Sequence, residues 1–482
     1  MITSRLLSPH VFTVVKVSLF VFLCSSLNLY AQNWPMANGN RERTSWAQFE
    51  TVLNPPLEKT IEFPLSGYES GMSFHNNTLF VSVELDPNRV IAFNPNDTTE
   101  LWHFEIPNTM GSVNVVPAVN DSIVLCGGQH GLGLYALDRF TGNEKWFKEL
   151  GSLYSVNPMI DSNRVYIVID SLYCLDIADS STIWTFPFGL EGTPVIDEDN
   201  VYICGNRKLI CLDKINGNMK WQIYNSKWSY SSFCIDDNFI YTNSNDSILA
   251  ITKDSGSVYW VYKNNDGQLP EFSVNSIAIS DSFLCFVIWE DSVHKGQLHT
   301  LDKITGNHIW QHTFDTTGVY PPTIANGIVY AVNWKSKSVW GFDLQTGDSV
   351  FYDDSEPYLH QPIVADGKLY VGAFRKVVAF KNVGTGVSSN SFINQESFKL
   401  FPNYPNPFNP STTISFFLPR EDFVKLVVYN IEGQEVKMLI NDELSSGLHK
   451  TVFDASNLAS GIYFYKIITS EFSDTKKLAL IR

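Results

Sequence analysis

From residue 92 to 351 the hydrophobic positions fall into short apolar runs separated by clusters of Asn, Asp, Gly and Ser. Such runs predict short β-strands bounded by turns. One unit recurs seven times within them: a small residue, a hydrophobe, usually Asp, a polar turn, and an aromatic ten positions after the start. The copies from Ala136 to Trp146 and from Thr300 to Trp310 are the clearest. The others run from Ala92 to Trp102, Cys174 to Trp184, Cys211 to Trp221, Ala250 to Trp260 and Gly341 to Phe351. A recurrence of roughly 37 to 50 residues predicts radially repeated four-stranded sheets.

Residues 192–225 show one unit in full. Thr193 to Ile196 reads as an inner strand, Val201 to Cys204 as a second, Leu209 to Leu212 as a third and Met219 to Ile223 as the outer one. The Thr-Gly or Asn-Gly pair before the outer strand supplies a residue at ease with positive φ, and the preceding Asp accepts bonds from turn N–H groups. The turns at 94–99 and 177–181 lack Gly, so Asn, Asp or Ser takes that conformation there or the turn adopts another geometry.

The repeated aromatics are read as core, wedged against the small Ala, Gly or Cys of a neighbouring blade. Trp102, Trp146, Trp184, Trp221, Trp260, Trp310 and Phe351 are therefore the predicted blade-docking residues. After Phe351, residues 362–371 and 377–380 supply three strands with no outer one, while Lys59 to Phe63 reads as an outer strand without its first three. Joining them closes the ring and removes two exposed edges. The predicted fold is all-β: an eight-bladed β-propeller of antiparallel four-stranded blades, the last closed by the N-terminal strand.

Charge and address narrow the partners. A net charge of −16 over 482 residues leaves no basic footprint for nucleic acid or anionic lipid. Arg5 and Lys16, the apolar run from Val17 to Leu29 and Ala31 predict a signal peptide over residues 1–31, and no transmembrane segment after its cleavage. Six cysteines then remain, and their repeat positions argue for packing rather than bridging. Cys204 and Cys211 are the exception, flanking 205–208 where a hairpin would bring them face to face, and that bridge stays open.

These repeats, with the opening residues Trp34 to Thr44, resemble the pyrroloquinoline-quinone-like β-propeller repeat family over residues 32–383. That family includes quinoprotein alcohol dehydrogenases and the propeller lipoprotein of the outer-membrane barrel assembly machine. Its dehydrogenases carry adjacent cysteines over the quinone, with Glu, Asn and Asp around calcium. No two cysteines are adjacent here and no such set matches residue by residue. No cofactor is therefore expected, pyrroloquinoline quinone with calcium being the alternative.

The tail, residues 398–482, follows a linker at 384–397. Its blocks at 398–416, 424–436, 458–465 and 476–482 closely resemble the type A C-terminal sorting domain of the type IX secretion system. Read by itself, the stretch alternates like a small immunoglobulin-like β-sandwich. The resemblance implies handling by that secretion machinery and a secreted, extracellular or outer-membrane-surface location in a Bacteroidota-like bacterium.

No catalytic or metal-ligating residue is assigned. His308 and His312 flank Trp310 with period two, yet no third ligand accompanies them. The loops between second and third strands and between blades emerge opposite the Thr-Gly turns. That face collects Trp228, Tyr230, Trp289, Tyr320, Tyr358 and His360 as ligand-binding candidates. The expectation is a non-catalytic binding or scaffold protein with an extracellular glycan or protein ligand. The alternative is a divergent quinoprotein oxidoreductase or a polysaccharide-acting propeller enzyme.

Overall fold

The computed structural model describes residues 33–480 apart from 108–114, 128–132, 152–156, 225–232, 264–276, 384–397 and shorter gaps. The predicted signal peptide and linker lie outside the described residues. No described helix is long and apolar enough to cross a membrane.

Among the described residues, the segment from Leu57 to Asn382 forms eight sheets, each built from four consecutive antiparallel strands except at the seam. We number the blades 1 (68–105), 2 (118–149), 3 (159–187), 4 (195–224), 5 (233–262), 6 (277–314), 7 (323–353) and 8 (358–382). Blade 8 takes its outer strand from Leu57–Pro64, which pairs antiparallel with Lys376–Asn382, Ile61 opposite Ala379 and Glu62 opposite Val378. That strand skips one residue between Lys59 and Ile61, the same bulge that blade 1 shows beside Trp102. Ile61 thus occupies the repeat-aromatic position. The inner strands of blades 8 and 1 lie against each other. One apolar cluster, including Tyr330, Val378, Phe63 and Phe74, runs through blades 7, 8 and 1. The apolar alternation of the chain is buried between blades, and the edge groups of both ends are hydrogen-bonded.

Each repeat aromatic faces two ways. Within its own blade it lies opposite the small residue that opens the repeat: Trp146 pairs with Ala136, Trp221 with Cys211 and Phe351 with Gly341. A ring laid across the hairpin leaves room there only for a short side chain. Toward the next blade the indole N–H donates to the carbonyl after the turn Asp. Trp102 reaches Arg139 at 2.9 Å, Trp146 reaches Ile177 at 2.9 Å and Trp310 reaches Leu344 at 3.0 Å. The neighbour's docking surface is therefore the turn, and the small residue expected to receive the ring belongs to the same blade. The two turns without Gly place Thr98 at φ 62° and Ser180 at φ 61°.

Three lysines clamp neighbouring blades twice. The carbonyls of Lys214, Lys253 and Lys303 accept the indole N–H of Trp184, Trp221 and Trp260. Their ammonium groups pair with Asp161, Asp197 and Asp236 of the preceding blade at 2.9, 2.7 and 3.0 Å. Lys303 and Asp236 are nearly inaccessible to solvent. Burial alone would raise the Asp236 carboxyl, but the Lys303 charge and the backbone N–H groups of Asn238 and Phe239 outweigh it and hold it low. Such a carboxyl adds stability that is complete above its unfolded value of about 4 and is lost as pH falls through the lower folded value. Lys303→Met is expected to cost about 3 kcal/mol, since it strands a buried carboxylate. The urea midpoint of the propeller at pH 7 reads that loss, and the gap between parent and variant narrows below about pH 4.

The N-terminal segment has no counterpart in the repeat. Residues 34–47 run around the inside of the ring and bond in turn to the inner strands: Trp34 to Phe74, Pro35 to Val119, Arg41 to Ile196, Glu42 to Ile235, Thr44 to Ile279 and Ser45 to Ile324. Trp46 and Ala47 then add a short parallel strand beside Thr323–Ala325. These main-chain bonds fall where a first strand turns into the second, while Asn38 and Ser45 also meet the Gln361 side chain, which stands in the inner strand of blade 8.

The tail forms two sheets. Lys399–Leu400, Ser411–Leu418 and Gly447–Asp454 make one; Glu435–Leu444, Asp422–Asn430, Gly461–Ile468 and Ser473–Leu480 make the other. Ile414, Phe416, Leu426, Val428, Tyr465 and Leu478 fill the space between them.

Candidate functional site

Chemistry collects where the inner strands of blades 8 and 1 begin. Glu69 stands second in the inner strand of blade 1, Tyr68–Phe74, and His360 third in that of blade 8, Tyr358–Ala365. Both strands are bulged at these points, between Glu69 and Gly71 and between Leu359 and Ile363. His360 sits at φ 63°. Non-glycine residues are uncommon there, and such backbone gathers at functional positions.

The two bulges bring His360 Nδ1 to 2.7 Å from Glu69 Oε2. Gly372 makes the space: a Cβ on it would fall 2.0 Å from that oxygen. The Glu69 carboxylate is 1% exposed, and its other oxygen, Oε1, has no protein partner. Burial by itself would lower the His360 imidazole. The charge of Glu69, its hydrogen bond and the charge of Glu84 overcome that and raise it above its ordinary value. His360 is therefore held toward the cationic form, with Nδ1–H directed to Glu69 and the ring still partly exposed. The Tyr320 ring lies edge-on to it at 5.3 Å and is itself half-buried. The arrangement offers an imidazole donor beside an aromatic surface, which suits hydroxyl-rich or carboxylate-bearing ligands.

The predicted binding residues separate here. Tyr320 and His360 meet. Tyr358 is fully buried with its hydroxyl on Asp353, so it presents no surface. Trp228 and Tyr230 lie outside the described residues. Trp289 lies in the strand Phe283–Glu290, its backbone opposite Gly296, and its side chain is outside the described residues. Glu69 and Gly372 had no part in the sequence reading, and no motif around either residue marks it.

His308 stacks on Tyr262 and meets His299, whereas His312 packs on Phe342 of the next blade, so the two do not converge. Burial takes His299 down to about 3, which keeps it neutral. The six described cysteines are unbridged and buried, with Cys204 opposite Leu209 and Cys211 opposite Tyr202, so the two form no bridge. A quinone with a metal ion does not fit the donor set. The cysteines are dispersed inside the sheets, and no three carboxylate, imidazole or thiolate groups converge among the described residues.

The closed ring of four-stranded blades defines a β-propeller, and its repeats define which. The family described as outer membrane protein assembly factor BamB matches residues 86–186, 169–287 and 291–391, and the chain belongs to it. Residues 403–481 match the secretion system C-terminal sorting domain. No curated protein sequence matches the chain. Among solved structures, BamB from Moraxella catarrhalis is similar at TM-score 0.55 and 16% identity, covering 67% of this chain and 99% of that one. A quinohemoprotein alcohol dehydrogenase from Comamonas testosteroni is similar at TM-score 0.59 and 12% identity, covering 76% and 83%. A europium-containing methanol dehydrogenase stands at 0.58 and 11%, covering 71% and 90%. At such identities the likeness is one of fold.

Proposed function

We propose that this chain is a non-catalytic binding or scaffold protein, exported to the cell surface or beyond by the type IX route, whose propeller takes an extracellular glycan or protein where the inner strands of blades 8 and 1 begin. The sorting domain supports the export, and the Glu69–His360 pair beside Tyr320 is the observation that carries the binding reading. A buried carboxylate that orients a partly exposed imidazole is costly to assemble and contributes little to closing a ring already zipped by main-chain bonds. What the pair offers is hydrogen bonding and ring contact.

The test is a screen of extracellular polysaccharides and surface proteins against the purified chain, repeated with Tyr320→Ala and His360→Gln. Each variant is expected to weaken binding about tenfold or more, the worth of one charge-assisted hydrogen bond or ring contact. Equal binding by Tyr320→Ala and the parent would remove this face from consideration. The dehydrogenase-like fold neighbours favour an oxidoreductase as second reading. Addition of pyrroloquinoline quinone and calcium, followed by dye-linked alcohol oxidation, decides it, and turnover would replace the binding reading.

A further inference from the structure

The N-terminal segment carries two arginines into the ring, and only one has a counter-charge. Arg41 pairs with Glu42 at 2.8 Å and Asp161 at 2.5 Å. Arg43 forms no ion pair with any described carboxylate. Its backbone is fixed between blades 5 and 6, because the flanking carbonyls of Glu42 and Thr44 accept from Ile235 and Ile279. Its side chain crosses the space that the segment encloses, where Nε and Nη2 donate to Asn38 Oδ1 at 3.2 and 3.0 Å. Asn38 is oriented for this by its own Nδ2, which donates to Ser45 Oγ at 2.8 Å. Asn38, Arg43 and Ser45 all hold left-handed backbone, at φ 60°, 56° and 50°.

A guanidinium has five N–H donors. Asn38 takes two, and the three that remain, on Nη1 and Nη2, have no acceptor among the described residues. Arg43 is partly accessible, so an ion from outside can reach these donors. Burial draws its guanidinium down to about 10. Enclosing a cation with nothing to balance it is costly, and the cost is relieved by an anion from outside. Carboxylates are plentiful in a chain of net charge −16, yet none of the described ones pairs with this group. The free Nη1–Nη2 edge has the fork geometry that two oxygens of one oxyanion accept.

We propose that the segment-lined part of the channel is an oxyanion site, in which the Nη1–Nη2 edge of Arg43 holds a carboxylate or phosphate group. The site uses none of the Glu69–His360 pair, although Asn38 and Ser45 also bond to Gln361, the chain neighbour of His360.

The test uses the mature full chain and its Arg43→Gln and Arg43→Lys variants, titrated calorimetrically with phosphate and with oxalate. Millimolar anion in chloride of constant ionic strength avoids the general stabilisation that concentrated phosphate gives any protein. The parent is expected to bind one equivalent of at least one of the two, Arg43→Gln at least tenfold more weakly, and Arg43→Lys in between. Phosphate alone binding identifies a tetrahedral ligand group, oxalate alone a planar one. A selenate soak of parent crystals needs no variant: an anomalous peak against the Arg43 guanidinium is expected. The proposal fails if neither anion binds the parent, if Arg43→Gln binds as well as the parent, or if phosphate binds and selenate still leaves no peak there.

Discussion

Replacing Trp310 by Ala is expected to lower the stability of the propeller by about 3–5 kcal/mol, the cost of deleting a buried large ring. A drop in the urea midpoint of the propeller transition measures it. Trp310 is 9% exposed and lies between Thr300 of its own blade and the turn of blade 7. Its N–H bonds to Leu344, and its six-membered face covers Gly347, on which a Cβ would fall 2.7 Å from the ring. Trp310→Phe should recover most of the loss, leaving about 1 kcal/mol for the missing N–H bond. The chain itself supplies the control. Blade 8 draws its third and outer strands from opposite ends of the sequence, so no turn joins them and no turn carbonyl faces the aromatic of blade 7. That aromatic is Phe351, which has no N–H to satisfy and packs on Phe380 at 5.3 Å.

The repeat was legible because its determinants are local. The turn Asp, the residue at positive φ and the aromatic lie within eleven positions of one another, and ring closure followed from which blade lacked an outer strand. The rings do dock on a small residue of the neighbouring blade, but it is the turn glycine, as Gly142 under Trp102. The small residue that opens the repeat belongs to the same blade for a reason of register. A residue ten positions before the ring lies directly across the hairpin from it, as Ala136 does from Trp146. The site was half legible. Tyr320 and His360 could be placed on a face by topology, but Glu69 is 291 positions from His360 in sequence and meets it only because the ring closes. Tyr358 shows the opposite limit: its ring is indistinguishable in sequence from a surface one, and its burial is settled by Asp353 and Phe380. The segment from 34 to 47 has no strand period, since it follows the circumference of the ring and takes its partners from the ends of other strands.

That segment and the strand after it make separable contributions, and two truncations distinguish them. A chain lacking residues 33–47 keeps the Leu57–Pro64 strand and with it the pairing that closes blade 8. It loses Trp34, which is 2% exposed, and the main-chain bonds to six inner strands. It is expected to remain monomeric while its unfolding midpoint falls by more than Trp310→Ala causes, because a buried indole alone is worth about 3–5 kcal/mol. A chain lacking residues 33–64 also bares the edge of Lys376–Asn382, whose side chains from Val377 to Phe380 are buried and apolar. An unpaired apolar edge recruits other chains. This second truncation should therefore elute as oligomers or aggregate, as size-exclusion chromatography with light scattering would reveal. Monomeric behaviour of both would mean that the ring holds without its zipped seam. Aggregation of the first as well would shift the closing role from the paired strand to the segment inside the channel.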